Sequence, residues 1–352
     1  LKLNTFNLPD SSIVDGSEHF GVGLWTGTGS VTAPNIPSVT NLKFKPEFLW
    51  SKSRSTVANN YLYDIVRSPG DSPNKFIGSN TTDGTQTFNA FTLADTGFTL
   101  ATTNAFFNQA SATYVAWNWK AGGTAVPNTA GTLASQVSAN TTAGFSIVTF
   151  TGTQTNKTVG HGLGVPPEII ITKPTITQNW VVGATSIGWT KYLHLNLTNA
   201  EGTSASPWNN TAPTNNVYSV GIAPDTNNNG NTMVAYCFAS VEGYSKIGSY
   251  TGNGSADGPF VYTGFKPAFI MFRSTILCNW VIVDSARSTY NVMDDSLYPN
   301  TNGTEITTIT DVDFLSNGFK WRANLPNETN ASGQTYIYMA FAENPFKNSL
   351  AR

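Results

Sequence analysis

Phe150-Thr151-Gly152-Thr153 closes an apolar run that starts at Phe145, and two other runs close the same way. Residues 20–29 end in Trp25-Thr26-Gly27-Thr28-Gly29, and residues 244–254 end in Tyr250-Thr251-Gly252-Asn253-Gly254. Glycine after such a run permits the positive φ at which a strand turns. Three occurrences in one order are the signature of an internal repeat.

Outward from these endings, further landmarks recur in the same order. A proline at a strand entrance leads into bulky residues and then a polar or cationic one: Lys45-Pro46-Glu47-Phe48-Leu49-Trp50-Ser51-Lys52, Pro166-Pro167-Glu168-Ile169-Ile170-Ile171-Thr172-Lys173 and Lys266-Pro267-Ala268-Phe269-Ile270-Met271-Phe272-Arg273. Proline is tolerated at a first strand position, and β-branched and aromatic residues suit a pleated surface. Next come Asn60-Tyr61-Leu62-Tyr63, Asn179-Trp180-Val181-Val182 and Asn279-Trp280-Val281-Ile282. Matching Tyr61 to Trp180 and Trp280 gives spacings of 119 and 100 residues. Each copy closes on an alanine-bearing strand: Tyr114-Val115-Ala116-Trp117, Met233-Val234-Ala235-Tyr236 and Tyr338-Met339-Ala340-Phe341.

The periodicity is two in runs of four to eight residues bounded by Gly, Pro, Asn, Asp and Ser, and no window reads as a long amphipathic helix. The expectation is an all-β chain of three repeated antiparallel β-sandwich, jelly-roll-like modules. Residues 1–19 are a lead segment, 20–122 the first module, 123–143 a linker of small and polar residues with little core of its own, 144–243 the second module and 244–352 the third.

Composition limits the partners. Charged residues are 11% of the 352, aromatics 12%, and the net charge is −2. Such a chain is folded and neutral, and it lacks the basic footprint that nucleic acid requires. No run approaches the roughly 18 apolar residues of a membrane span, and the first twenty residues lack an export pattern, so a soluble chain without membrane insertion is expected, with targeting open.

Residues for covalent chemistry are sparse. His19, His161 and His194 stand beside no nucleophile signature. His161, in Gly160-His161-Gly162-Leu163-Gly164, reads as a turn histidine, because a phosphate cradle needs a strand-to-helix context. Asp225-Thr226-Asn227-Asn228-Asn229-Gly230 copies the start of a calcium loop, but Tyr236 takes the twelfth place where a bidentate Glu belongs, so a polar hairpin loop is expected. Glu168, Glu201, Glu242, Glu305 and Glu343 are scattered singly, with no acid-rich strand to supply a glycosidase pair. No catalytic residue, metal site or cofactor is assigned. Cys237 and Cys278 sit in apolar runs and read as buried thiols, with a bridge between them left open.

Two groups are candidates for ligand binding. In Ser206-Pro207-Trp208-Asn209-Asn210-Thr211, the Trp208 ring could stack on a sugar while Asn209 and Asn210 meet its hydroxyls, or the tryptophan could fold back onto the sheet. Asp64 with Arg67, and Asp284 with Arg287, stand at matching places in the first and third copies as ligand-reading pairs or as structural ion pairs. Residues three apart face opposite sides of a strand, so each pair meets only where the chain turns.

Phe48-Leu49-Trp50-Ser51-Lys52-Ser53-Arg54, Tyr114-Val115-Ala116-Trp117-Asn118-Trp119-Lys120-Ala121-Gly122-Gly123, Gly258-Pro259-Phe260-Val261-Tyr262-Thr263-Gly264-Phe265 and Met339-Ala340-Phe341-Ala342-Glu343-Asn344-Pro345-Phe346 resemble, over nearly the whole chain, a family of proteins encoded by aquatic tailed bacteriophages. The resemblance implies a virion-associated protein of the tail-fibre kind and carries over no catalytic residues. It leads to the expectation of a structural protein on the virion surface, a tail fibre or receptor-binding appendage contacting host-surface glycans. The alternatives are a capsid decoration or collar protein, and a glycan-degrading enzyme. Expected partners are other virion proteins and a host-surface glycan, with a homotrimer if the chain forms a fibre.

Overall fold

Bulky residues at every second position suit a ribbon whose faces are buried separately. The computed structural model describes residues 13–307, 312–322 and 328–343. It is almost all β, and every ladder between its strands is antiparallel. Described helix is confined to single turns at Gly16–Glu18, Ala105–Asn108 and Pro224–Asn227. Most of the expected lead segment, and Asn344, Pro345 and Phe346 of the closing motif, lie outside the described residues.

Three sheets share one strand order, in which the last strand of each lies between the first and the second. The first sheet runs Phe20–Thr26, Thr113–Trp119, Phe48–Ser53, Tyr61–Asp64 and continues to Lys75–Gly78 and Gln86–Thr87. The second contains Phe145–Thr151, Thr232–Phe238, Ile169–Pro174, Val181–Ala184 and Lys191–His194 in that order, and the third Ser245–Thr251, Thr335–Phe341, Phe269–Ser274, Val281–Asp284. Registers agree as well: Thr26 faces Thr113, Thr151 faces Thr232, and Thr251 faces Thr335. A small sheet accompanies each, built on Gly97–Leu100, Lys157–Gly160 and Gly318–Trp321.

The central strands are buried on both faces, and their period-two alternation divides the core. Tyr114 and Ala116 pack into the first sheet's own cluster, Met233 and Ala235 into the second's, Tyr336 and Tyr338 into the third's. Val115, Trp117, Trp119, Val234, Tyr236, Phe238, Ile337, Met339 and Phe341 all enter one common cluster. At its centre Trp119, Phe238 and Phe341, which hold the same register position in the three strands, form a triangle with ring centroids 6.2, 5.9 and 5.5 Å apart. The three sheets are therefore joined by a shared apolar interior.

This interior corrects several expectations. The stretch 123–143 is not a loose linker: Val126–Asn128 and Ser135–Asn140 extend the second sheet, and Ala121 and Ala143 enter the common core. Gly131 serves close approach there, since a Cβ on it would meet the backbone oxygen of Thr158 at 2.5 Å. The closing strand of the third sheet is offset by two from the expected match, with Tyr336-Ile337-Tyr338-Met339 opposite Tyr114-Val115-Ala116-Trp117; an even slip keeps every side chain on its face. Trp180 and Trp280 correspond to Asn60, not Tyr61, because Ser51 faces Tyr61 as Thr172 faces Val181 and Phe272 faces Val281. Finally, Gly29 and Gly254 take the positive φ expected of these turns, at 70° and 68°, but Gly27, Gly152 and Gly252 lie outside that region. They are glycine because a Cβ there would stand 2.2 Å from the backbone oxygens of Gln109, Asn228 and Ala331. Buried Asn108, Asn227 and Asn330 hold these turns, their side-chain oxygens accepting from the amides of Thr28, Thr153 and Asn253 at 2.8, 2.7 and 2.7 Å.

Candidate functional site

The sheets meet at three seams, and the polar contacts across them run in one sense around the core. Trp117 Nε1 donates to Asp284 of the third sheet at 2.9 Å, and the Tyr236 hydroxyl donates to Asp64 of the first at 2.8 Å. The corresponding residues at the remaining seam are Met339 and Ala184, neither with a polar side-chain partner to offer. Asn60, Trp180 and Trp280 donate to the carbonyls of Thr301, Gly78 and His194 at 2.7, 2.7 and 2.8 Å. Lys52, Lys173 and Arg273, each the fifth residue of its strand and each buried, reach neighbouring-sheet carbonyls of Asn302, Thr82 and His194. Burial pulls the Lys52 and Lys173 ammonium groups down to about 8.

The predicted Asp-Arg pairs belong to this seam system. The chain turns directly after Tyr61–Asp64 and Val281–Asp284, so each arginine folds back: Arg67 Nε lies 2.5 Å from Asp64, and Arg287 Nε 2.6 Å from Asp284. Both pairs are buried structural ion pairs, further fixed by Nη2 donating to the carbonyls of Leu62 and Ile282. In the second sheet, Ala184 and Ile187 take the two places.

The two arginines differ at Nη1. In Arg287 it meets Glu305 Oε2 at 2.8 Å, and Glu305 is also gripped by Arg54 at 2.6 Å. In Arg67 it has no hydrogen-bond partner among the described residues. Thr85 stands where Glu305 stands: the amides of Thr85, Glu201 and Glu305 each donate at 2.8 Å across a seam, to the carbonyls of Thr175, Thr275 and Arg54. Thr85 and Thr175 thus replace the Glu305–Arg54 pair with short side chains, and a cleft of about 330 Å3 opens there. Its lining is Val66, Arg67, Lys75, Thr85, Thr149, Thr175 and Thr232. The Thr85 hydroxyl is also buried, with no hydrogen-bond partner among the described residues. Burial acts to lower the Arg67 guanidinium, but Asp64 and Tyr236 outweigh it and hold Arg67 above its ordinary range. At the second seam, between the second and third sheets, Lys191, which corresponds to Lys75, is neutralised by Glu201 at 2.5 Å, while the third seam joins the third sheet to the first; Lys75 has no carboxylate partner among the described residues.

The other sequence candidates fall elsewhere. Trp208 is fully buried, its ring against Trp189 at 5.4 Å, so it presents no plane to a ligand; Gly183 is glycine because both indoles occupy the space of its Cβ. Asn209 and Asn210 are left-handed turn residues, both at φ 51°, a conformation asparagine tolerates. The segment resembling a calcium loop is a helical turn at Pro224–Asn227 whose Asn227 side chain is spent on the Thr153 turn. His161 is buried, accepting from the Leu163 amide and bonded to the Thr214 carbonyl, and burial lowers its pKa. Cys237 and Cys278 are buried free thiols, and burial pushes Cys237 up to about 12. The cleft residues Lys75, Thr85 and Thr175 were missed because each is an ordinary polar residue; the signal lay in Glu201 and Glu305 standing five residues after Asn196 and Asn300, where the chain of the first sheet has Thr85 after Asn80.

The fold and the cleft define an antiparallel β protein with an open, cation-bearing seam between two fused sheets. The chain belongs to the family described as a domain of unknown function (DUF7483), whose profile matches residues 15–345 and so spans all three sheets as one unit. No curated protein and no solved structure matches the chain.

Proposed function

We propose that the chain is three copies of one β-sandwich module fused around a common core, and that it serves as a structural protein of a tailed bacteriophage virion. In this reading it is a tail fibre or receptor-binding appendage that contacts a host-surface glycan. The observation carrying the binding role is the first seam, between the first and second sheets, where a buried guanidinium nitrogen and a buried hydroxyl have no partner among the described residues beside an open cleft. Unpaired buried polar groups are costly, and their retention on a rigid scaffold favours use by a ligand. The phage assignment rests on the sequence resemblance. Purified chain should adsorb to the host cell surface and compete with intact particles; absence of adsorption would remove the receptor role.

A second reading, a decoration or collar protein, is favoured by the exposed Tyr262, Leu277 and Tyr290, at 65%, 67% and 83% exposure. Such residues suit contact with other virion proteins. Antibody labelling that decorates the head and not the tail would select it. The inner faces of the three sheets are already spent on each other, so a homotrimer would form through outer surfaces.

A further inference from the structure

We infer that the first seam binds the carboxylate of an acidic sugar, a uronic-acid unit of a surface polysaccharide. This rests on the glycan-binding reading above and names the chemistry at its site. The third seam supplies the template. There a carboxylate, Glu305, occupies the space beside the arginine and bonds Nη1 at 2.8 Å. Arg67 repeats Arg287 with Nε on the aspartate and Nη2 on a carbonyl at 3.2 against 3.0 Å; its Nη2 also donates to the Tyr236 hydroxyl at 3.2 Å, where Arg287 instead lies over the Trp117 ring, and its Nη1 lacks the acid among the described residues.

The remaining lining fits a sugar ring. Thr85, Thr149, Thr175 and Thr232 bring hydroxyls that can both donate and accept, as ring hydroxyls require. Val66 offers an apolar contact, and Lys75 brings a second cation that no neighbouring carboxylate neutralises among the described residues. A cleft of about 330 Å3 lies at the lower end of the range for small-molecule sites, roughly 300–1,000 Å3. Paired charge to an arginine gives directional, charge-assisted hydrogen bonds. A neutral sugar offers Nη1 only an uncharged hydroxyl acceptor, so selectivity for the acid follows from charge assistance.

The test is calorimetric titration of the full chain with methyl glucuronoside, methyl glucoside and a sulfated methyl glucoside. The glucuronoside is expected to bind at least tenfold more tightly than the neutral glucoside and more tightly than the sulfated one. Thr85→Glu copies Glu305 into the seam; it should weaken glucuronoside binding at least tenfold and raise the urea midpoint, whereas Thr85→Gln should not raise the midpoint. Equal binding of glucuronoside and glucoside overturns the proposal, as does a folded T85E chain that binds like wild type, and equal binding of the sulfated sugar overturns the carboxylate assignment. Cell adsorption separates the two readings. Wild type and T85E adsorbing equally leaves the receptor role and removes this site; glucuronoside binding without adsorption leaves the site and removes the receptor role.

Discussion

Asp64→Ala tests whether the seams hold the molecule together. Asp64 is fully buried and accepts three hydrogen bonds, from the Arg67 amide at 2.8 Å, Arg67 Nε at 2.5 Å and the Tyr236 hydroxyl at 2.8 Å. The ion pair is enclosed, with side chains 3% and 0% exposed, so solvent screening does not reduce its worth. Removing one partner of a buried pair costs about 3–5 kcal/mol. The stranded Tyr236 hydroxyl adds about 1 kcal/mol or more, with some overlap between the two losses. A loss of about 5 kcal/mol is expected, measured as the product of midpoint and slope in equilibrium urea unfolding followed by tryptophan fluorescence. The protein itself supplies the rescue. At the corresponding places of the seam between the second and third sheets stand Ala184, Ile187 and Met339. Asp64→Ala combined with Arg67→Ile and Tyr236→Met rebuilds that apolar seam, and at least half of the lost stability should return. A triple variant as unstable as the single one would refute the seam correspondence.

Three further outcomes follow from the same geometry. Gly152→Ala should cost about 3 kcal/mol, because its Cβ would stand 2.2 Å from the Asn228 oxygen, whereas Gly230→Ala, at φ +74° with open space around it, should cost only about 1–2 kcal/mol; the reverse order in urea unfolding would sink the steric account. Trp119→Ala removes one ring of the central triangle and should cost about 3–5 kcal/mol while tryptophan fluorescence and far-UV dichroism still report one coincident transition, since the core is shared; separate transitions would contradict it. Stability should rise with pH from about 7 to about 9 and then fall. Lys52 and Lys173 hold their protons more weakly in the fold, at about 8 against 10.5, so in that window the unfolded chain binds more protons and rising pH favours the fold. Above about 9 the sign reverses, because burial keeps first Cys237 and then Tyr218, Tyr236 and Tyr244 protonated only in the fold; urea midpoints that decline steadily from pH 7 to 9 would rule this out.

The strands were legible because their residues alternate, and the three turn motifs were legible because Thr-Gly recurs; the shared core was not. Tyr114-Val115-Ala116-Trp117 is apolar on both faces, a pattern that fits the middle of one sandwich as well as a strand between two cores. Which partner each face meets depends on contacts between residues more than a hundred positions apart, such as Trp119 with Phe341. Register was half legible. A slip of two in the closing strand does no harm to facing, while matching Tyr61 to Trp180 put an inward position of the first sheet's own cluster opposite a seam position. The Asp-Arg pairs were visible as pairs, but whether they read a ligand depended on what Nη1 meets, and that is decided by residue 85 or 305 and not by the pair.

The seams show three ways of closing the same joint. The third matches Arg54 and Arg287 with Glu305 and Asp284, and the second replaces the arginine by Ile187 and pairs Lys191 with Glu201, so that Arg54, Arg287 and Lys191 are all neutralised. The first keeps Arg67 on Asp64 but carries threonine where both other seams carry glutamate, so it gives up an available ion pair and a filled cleft. Glutamate at this position is compatible with the backbone, as Glu201 and Glu305 make the same 2.8 Å amide bond that Thr85 makes. Stability alone would therefore favour glutamate at 85. A site that forgoes stabilisation while keeping its guanidinium aligned has the character expected of a binding site, where function is retained at a cost in stability. Under that logic T85E gains stability as it loses ligand, and a chain in which both fall together would show that the threonine is there for packing alone.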